Sequence, residues 1–195
     1  MDTWIGLAVV AAIIIYVISL YNGFVTLKNR LDNAWAQIDV QLQRRYDLIP
    51  NLVETAKGYM QHEREALTQV IDARNQAADR AQRAAADPTN ANAVRQVSQA
   101  EAALSASLMN FNALAEAYPD LKADSLIANL QEELSHTENT LGFARQAFND
   151  AVMRFNTRIQ SFPNNLFAPT FGFRKAEHWQ VDTPDARHAV RVSLT

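Results

Sequence analysis

The sequence predicts an all-α protein: a single N-terminal transmembrane helix, then an antiparallel four-helix bundle, with an extended C-terminal tail. Three observations carry this. The chain opens on an uncharged apolar run, four long stretches repeat apolar residues at three- and four-residue steps, and prolines punctuate those stretches. The expected organisation is an anchor over 1–21, a helical bundle over 22–162 and an aromatic extended tail over 163–195.

The anchor runs from Trp4 to Tyr21 without a charged side chain. Eighteen helical residues span about 27 Å, close to the hydrocarbon thickness of a bilayer. A cleaved signal peptide would need a basic leading region and a small-residue cleavage site. Only Met1-Asp2-Thr3 precedes the run, and bulky Tyr21-Asn22-Gly23-Phe24 follows it. Trp4, Tyr16 and Tyr21 are the expected aromatic anchors. Lys28 and Arg30 follow the span closely, so the positive-inside rule places the N-terminus out and the bundle in the cytoplasm; the reverse orientation is the alternative.

The first bundle segment carries Phe24, Leu27, Leu31, Trp35, Ile38, Leu42 and Ile49, and is expected to leave the membrane without a hinge. Pro50 is expected either to interrupt it or to stand in the first turn of the next helix, where a missing N–H costs nothing. That second helix would carry Leu52, Val53, Ala56, Met60, Leu67, Val70, Ile71, Arg74 and Ala78, fading into the alanine-rich stretch 77–86. Asp87-Pro88 reads as an N-cap and first helical position. The third helix presents Val94, Val97, Glu101, Leu104, Leu108, Phe111, Ala115 and Tyr118, spaced as in a coiled-coil seam. The fourth begins near Asp124 and runs through Leu126, Leu141, Phe148, Phe155 and Ile159 to Phe162-Pro163. Short connections make antiparallel packing the expected arrangement.

The last thirty residues differ in kind. Phe167, Phe171, Phe173 and Trp179 surround Arg174-Lys175, and Ala189 to Leu194 alternates like a strand. One reading is a tail folded back over the end of the bundle. The other is an assembly element in which Val190, Val192 and Leu194 pair with another chain by strand addition.

Composition excludes several classes of function. With no cysteine there are no disulfides or thiolate sites, and five scattered glycines make no phosphate-binding loop. A net charge of −3 with basic and acidic residues interleaved gives no footprint for nucleic acid. His62-Glu63 lacks the second histidine of a zinc protease, since Ala66 stands in its place. Glu133-Leu134-Ser135-His136 is one Glu-x-x-His spacing without a second copy. Neither a catalytic constellation nor a cofactor is expected. Two polar groups remain: Arg44, Arg45, Asp47 and Asn51 where the first two helices meet, and Glu138, Arg145, Asn149 and Asn156 along the fourth. They either fix helix register through interhelical bonds or form a recognition surface for a partner.

Four blocks, in order along the chain, carry a resemblance: Ala34 to Glu63 (AWAQIDVQLQRRYDLIPNLVETAKGYMQHE), Glu116 to Ala123 (EAYPDLKA), Thr137 to Val152 (TENTLGFARQAFNDAV) and Phe162 to Ala168 (FPNNLFA). Together they resemble the LemA family. The terminal Val-Ser-Leu-Thr departs from the family pattern, which has an aromatic near the end. The resemblance implies a bacterial single-span membrane protein with a helical-bundle domain and no established enzymatic activity. Some relatives are linked to building intracellular membrane compartments, which implies a scaffold. The expected function is therefore a non-enzymatic, oligomeric membrane scaffold whose partners are the lipid bilayer and further copies of itself. Ala8 and Ala12 supply small-xxx-small spacing for contact within the span. The alternatives are an adaptor or regulator of another membrane protein, such as a protease or signalling complex, and an enzyme with an unfamiliar site.

Overall fold

The computed structural model describes residues 2–180. Six helices follow in order: α1 (Asp2–Lys57), α2 (Arg64–Ala86), α3 (Ala91–Ala115), α4 (Pro119–Ala123), α5 (Ser125–Gln160) and α6 (Asn164–Phe167). No strand occurs among the described residues. The long helices α1, α2, α3 and α5 form the antiparallel bundle, with α1 packed on α5 and α2, and α2 on α3. The first part of α1 stands alone: Trp4, Ile5, Leu7 and Ile15 are all more than half exposed. It is the one helix among the described residues long and apolar enough to cross a membrane.

No hinge separates span from bundle, and α1 continues through Asn22-Gly23 for 56 residues in all. The core starts earlier than expected, however. Leu20 is buried, and the Tyr21 ring meets that of Phe171 edge-on at 5.3 Å. The anchor and the bundle thus share residues at their border.

Pro50 neither interrupts the first helix nor opens the second. It lies inside α1, which ends only at Lys57. Leu52, Val53 and Ala56 therefore belong to α1, where they continue the buried stripe of Leu42 and Ile49. A proline in a helix interior costs about 3 kcal/mol, partly through the lost bond to the carbonyl four residues back. Here that carbonyl is Tyr46 O, and it accepts a bond from Arg74 Nε of α2 at 2.9 Å. The apolar stripe and this replacement donor together keep the helix intact. The break falls instead at Gly58–Glu63, where Met60 plugs the core and its backbone N–H returns to Ala56 O at 2.9 Å.

Asp87 is also not an N-cap. Its Oδ1 is taken by the N–H and hydroxyl of Thr89, and Asn90 caps α3 by accepting from the N–H groups of Asn92 and Ala93. Asp124 does cap α5, accepting from Leu126 N at 2.7 Å. Its second oxygen accepts from Tyr59 Oη at 2.8 Å, tying the α1–α2 turn to the start of α5.

The antiparallel register of α1 and α5 is set by three contacts. The Arg158 guanidinium lies against Gly23, the rings of Trp35 and Phe148 meet at 5.3 Å, and Arg45 pairs with Glu138. Near the span, Phe24 is covered by residues after the bundle's last long helix, Phe171 and Phe173. Residues 163–180 thus complete the core, with Ala168, Ala176 and Trp179 buried. Val190, Val192 and Leu194 lie outside the described residues.

Candidate functional site

Two polar constructions sit one after the other in the cleft between α3 and α5. The first is a buried ion cluster. Arg45 on α1 places Nη1 2.8 Å from Glu101 Oε2 of α3 and 2.8 Å from Glu138 Oε2 of α5, and its Nη2 donates to Ser105 Oγ at 2.9 Å. Arg145 adds Nη1 3.2 Å from Glu138 Oε1 and Nη2 3.7 Å from Glu101 Oε2. Tyr46 donates its hydroxyl to the remaining oxygen of Glu101 at 2.6 Å. Two guanidinium groups thus face two carboxylates, of which Glu101 is buried and has to be paired, while Glu138 is half exposed.

Burial, then the neighbouring charge of Glu101 and the bond to it, raise the Tyr46 phenol far above its ordinary range. It is a fixed donor, not an acid–base group. Burial likewise lowers the Arg145 guanidinium, opposed by the charges of Glu138 and Glu101. The cluster joins α1, α3 and α5, but not every polar atom in it is satisfied: Glu138 Oε2 has only the charge of Arg45 beside it and no hydrogen bond, and Arg145 Nε has no partner.

The second construction grips the C-terminal segment. Asn149 accepts from Trp179 N at 2.7 Å and donates to Trp179 O at 3.1 Å. Asn156 repeats the pattern on Ala176, at 3.0 and 2.9 Å. Seven helical residues advance about 10.5 Å and three extended residues about 10 Å, so the two ladders keep step. An asparagine amide presents an N–H beside a C=O, as the edge of a strand does. The segment therefore runs antiparallel to α5, as if paired in a sheet. On its other side, Ser98 of α3 donates to Gln180 O, and Arg95 meets Glu177 at 3.4 Å. Trp179 joins the two constructions: the Arg145 guanidinium lies 4.9 Å from its ring centre, and Trp35 packs on it at 5.9 Å.

Beyond the ion cluster the cleft stays open as a groove of about 610 Å³. Arg45, Ser105 and Glu138 contribute to its lining, with Leu52, Leu108, Met109 and Leu134 supplying apolar wall.

The residues singled out in the sequence are distributed unevenly. Arg45, Glu138 and Arg145 meet in the cluster, whereas Arg44 lies at the surface, paired with Glu133. Asp47 and Asn51 are exposed, and their link is Asn51 Nδ2 to the Asp47 carbonyl at 3.4 Å. Asn149 and Asn156 bond to the chain's own C-terminal segment, not to a neighbouring helix. Trp4 and Tyr16 stand on the bare part of α1, while Tyr21 packs against the bundle. Glu101, Tyr46 and Ser98 were missed as site residues. The one available signal was an acid at a seam position of α3, which has to find a cation once buried. Among the described residues, no three histidine, aspartate or glutamate side chains converge as a metal site would need.

The LemA family model matches residues 34–194. The chain belongs to the LemA family. It is 24% identical to magnetosome protein MamQ 2 of Paramagnetospirillum magneticum, over 90% of this chain and 71% of that protein. It is 25% identical to protein LemA of Metamycoplasma hominis, over 86% of this chain and 75% of the relative. The magnetosome protein MamQ of Magnetospirillum gryphiswaldense is 21% identical, over 84% and 67%. For this LemA-family chain, the bare apolar start of α1 fits a single-pass membrane protein. None of these relatives carries the name of an enzyme.

Proposed function

We propose that this LemA-family protein is a non-enzymatic membrane scaffold that works by binding and self-assembly, serving membrane organisation or remodelling at the bacterial inner membrane. The α3–α5 cleft carries the reading. It holds an extended segment by backbone pairing and then continues, unfilled among the described residues, as a groove of about 610 Å³ with mixed polar and apolar walls. An anchor that confines chains to one plane raises their effective concentration, so a modest groove affinity suffices for oligomers. Relatives named as magnetosome proteins agree with a membrane-organising role. The bundle lies on the cytoplasmic side, supported by Lys28 and Arg30 just past the span.

The groove's mixed lining also suits a segment of a different membrane protein, which is the adaptor reading. One experiment separates them. A photoreactive residue replacing Met109, which is exposed in the groove wall, is activated in intact membranes and the linked chains are identified. Links to further copies support the scaffold, and links to one other membrane protein replace it with an adaptor. A yield no higher than from exposed Gln69, on α2 and away from this groove, would remove the groove from the function. A reporter fused after Thr195 tests the orientation independently.

A further inference from the structure

The turn after α5 carries two large apolar side chains that the bundle does not cover: Phe162 is 81% exposed and Leu166 61%. Their position along α1 follows from the register. Trp35 lies opposite Phe148 and Gly23 opposite Arg158, so continuing the antiparallel pairing brings Phe162 level with about Leu20. The chain then turns back, and Phe171 and Phe173 reach Tyr21 and Phe24. Phe162 and Leu166 therefore flank the end of the apolar span. Charge is distributed to match. Residues 20–32 and 150–175 contain six basic and two acidic side chains, in a chain whose net charge is −3. Arg158, Arg174 and Lys175 are exposed within that collar.

We infer that this end of the bundle is a membrane-docking face: Phe162 and Leu166 enter the bilayer interface beside the span, and Arg158, Arg174 and Lys175 contact anionic lipid headgroups. Aromatic and aliphatic side chains at that depth gain apolar burial, and cations near an anionic surface are attracted to it. Lipid is the occupant because the neighbouring residues of α1 form the end of the apolar span. The docking also fixes the tilt of the bundle, since a single span by itself leaves rotation about its own axis free.

This inference rests on the span lying in the membrane, but not on self-assembly. The chain has no cysteine, so single labelling sites come without background. Full-length Phe162→Cys, Leu166→Cys, Ile13→Cys and Met109→Cys carry a nitroxide in vesicles of phosphatidylcholine, alone or mixed with phosphatidylglycerol. Accessibility to oxygen is compared with accessibility to a water-soluble nickel chelate. Expected are lipid-like ratios at 162 and 166, several-fold above that at 109 and approaching that at 13. The ratios should rise further with phosphatidylglycerol, and Arg158→Gln, Arg174→Gln and Lys175→Gln together should abolish the rise. Water-like ratios at 162 and 166 beside a lipid-like 13 overturn the docking face alone. A water-like 13 overturns the span as well. Dipolar broadening at 162 that disappears on dilution with unlabelled protein assigns the patch to a second copy and likewise overturns it.

Discussion

The backbone carbonyl of Tyr46 takes its hydrogen bond from Arg74 Nε, 2.9 Å away on the neighbouring helix, because Pro50 has no N–H to give it. The same guanidinium lies 5.8 Å from the Tyr46 ring centre. A feature that reads locally as a helix break is thereby turned into a link between α1 and α2.

Replacing Arg74 with methionine keeps much of the side chain's bulk and removes the donor. The orphaned carbonyl should cost about 1–3 kcal/mol of stability. In a Pro50→Ala background the restored N–H supplies the missing bond, so the same replacement should cost clearly less. A double-mutant cycle in chemical denaturation reads the difference, and additive effects would show that the two residues are not coupled.

Glu101 faces both arginines of the cluster and the Tyr46 hydroxyl. Glu101→Gln keeps the shape and leaves an excess buried positive charge, so the expected loss is about 3–5 kcal/mol. Tyr46→Phe removes one donor and should cost about 1–3 kcal/mol. The order of the two, measured by unfolding, is the test; equal losses would mean that charge balance is not what the cluster supplies.

Asn149→Asp retains the acceptor for Trp179 N and loses the donor to Trp179 O. The expected result is faster amide exchange at Ala176 and Trp179, with the helicity of α5 unchanged. Asn149→Ala should go further, destabilising by about 1–3 kcal/mol and shifting tryptophan emission as Trp179 loses its cover. Unchanged exchange at both amides would show that the segment is held by apolar packing alone.

Asp124 has its pKa lowered, first by the hydrogen bond from Tyr59 and then by backbone N–H groups of the α5 N-terminus. A depressed carboxylate contributes stability above its unfolded value, about 3.9, and that contribution is lost as pH falls through the lower folded value. Tyr59→Phe should raise the Asp124 pKa toward the ordinary range. NMR titration of the side-chain carboxyl checks it, and an unchanged midpoint would assign the shift to the helix terminus.

Cutting the chain just before Leu20 should give a more stable bundle than cutting just before Asn22. The shorter form loses buried Leu20 and the Tyr21–Phe171 contact, together about 2–4 kcal/mol. Denaturation midpoints of the two truncated chains decide this, and identical midpoints would move the border of the core back to Phe24.

The sequence by itself determined the helical class, the faces the helices bury and the apolar span, because these are written in local periodicity; it did not determine where α1 ends. Leu31, Trp35, Ile38 and Leu42 line one side of any helix they form, and eighteen uncharged, almost wholly apolar residues favour hydrocarbon whatever follows them. The start of α5 near Asp124 was legible too, but the one cap read from the sequence, Asp87, gave way to Asn90. Only the tertiary structure decided where the polar groups went. Pro50 could stay within α1 because Arg74 lies across from it, Glu101 could be buried because Arg45 and Arg145 converge on it, and Asn149 and Asn156 could hold an extended segment because the chain returns along α5. Each outcome depends on a partner far away in sequence. An unpaired hydrogen-bonding group constrains strongly that it must find a partner and not at all which one; packing makes that choice.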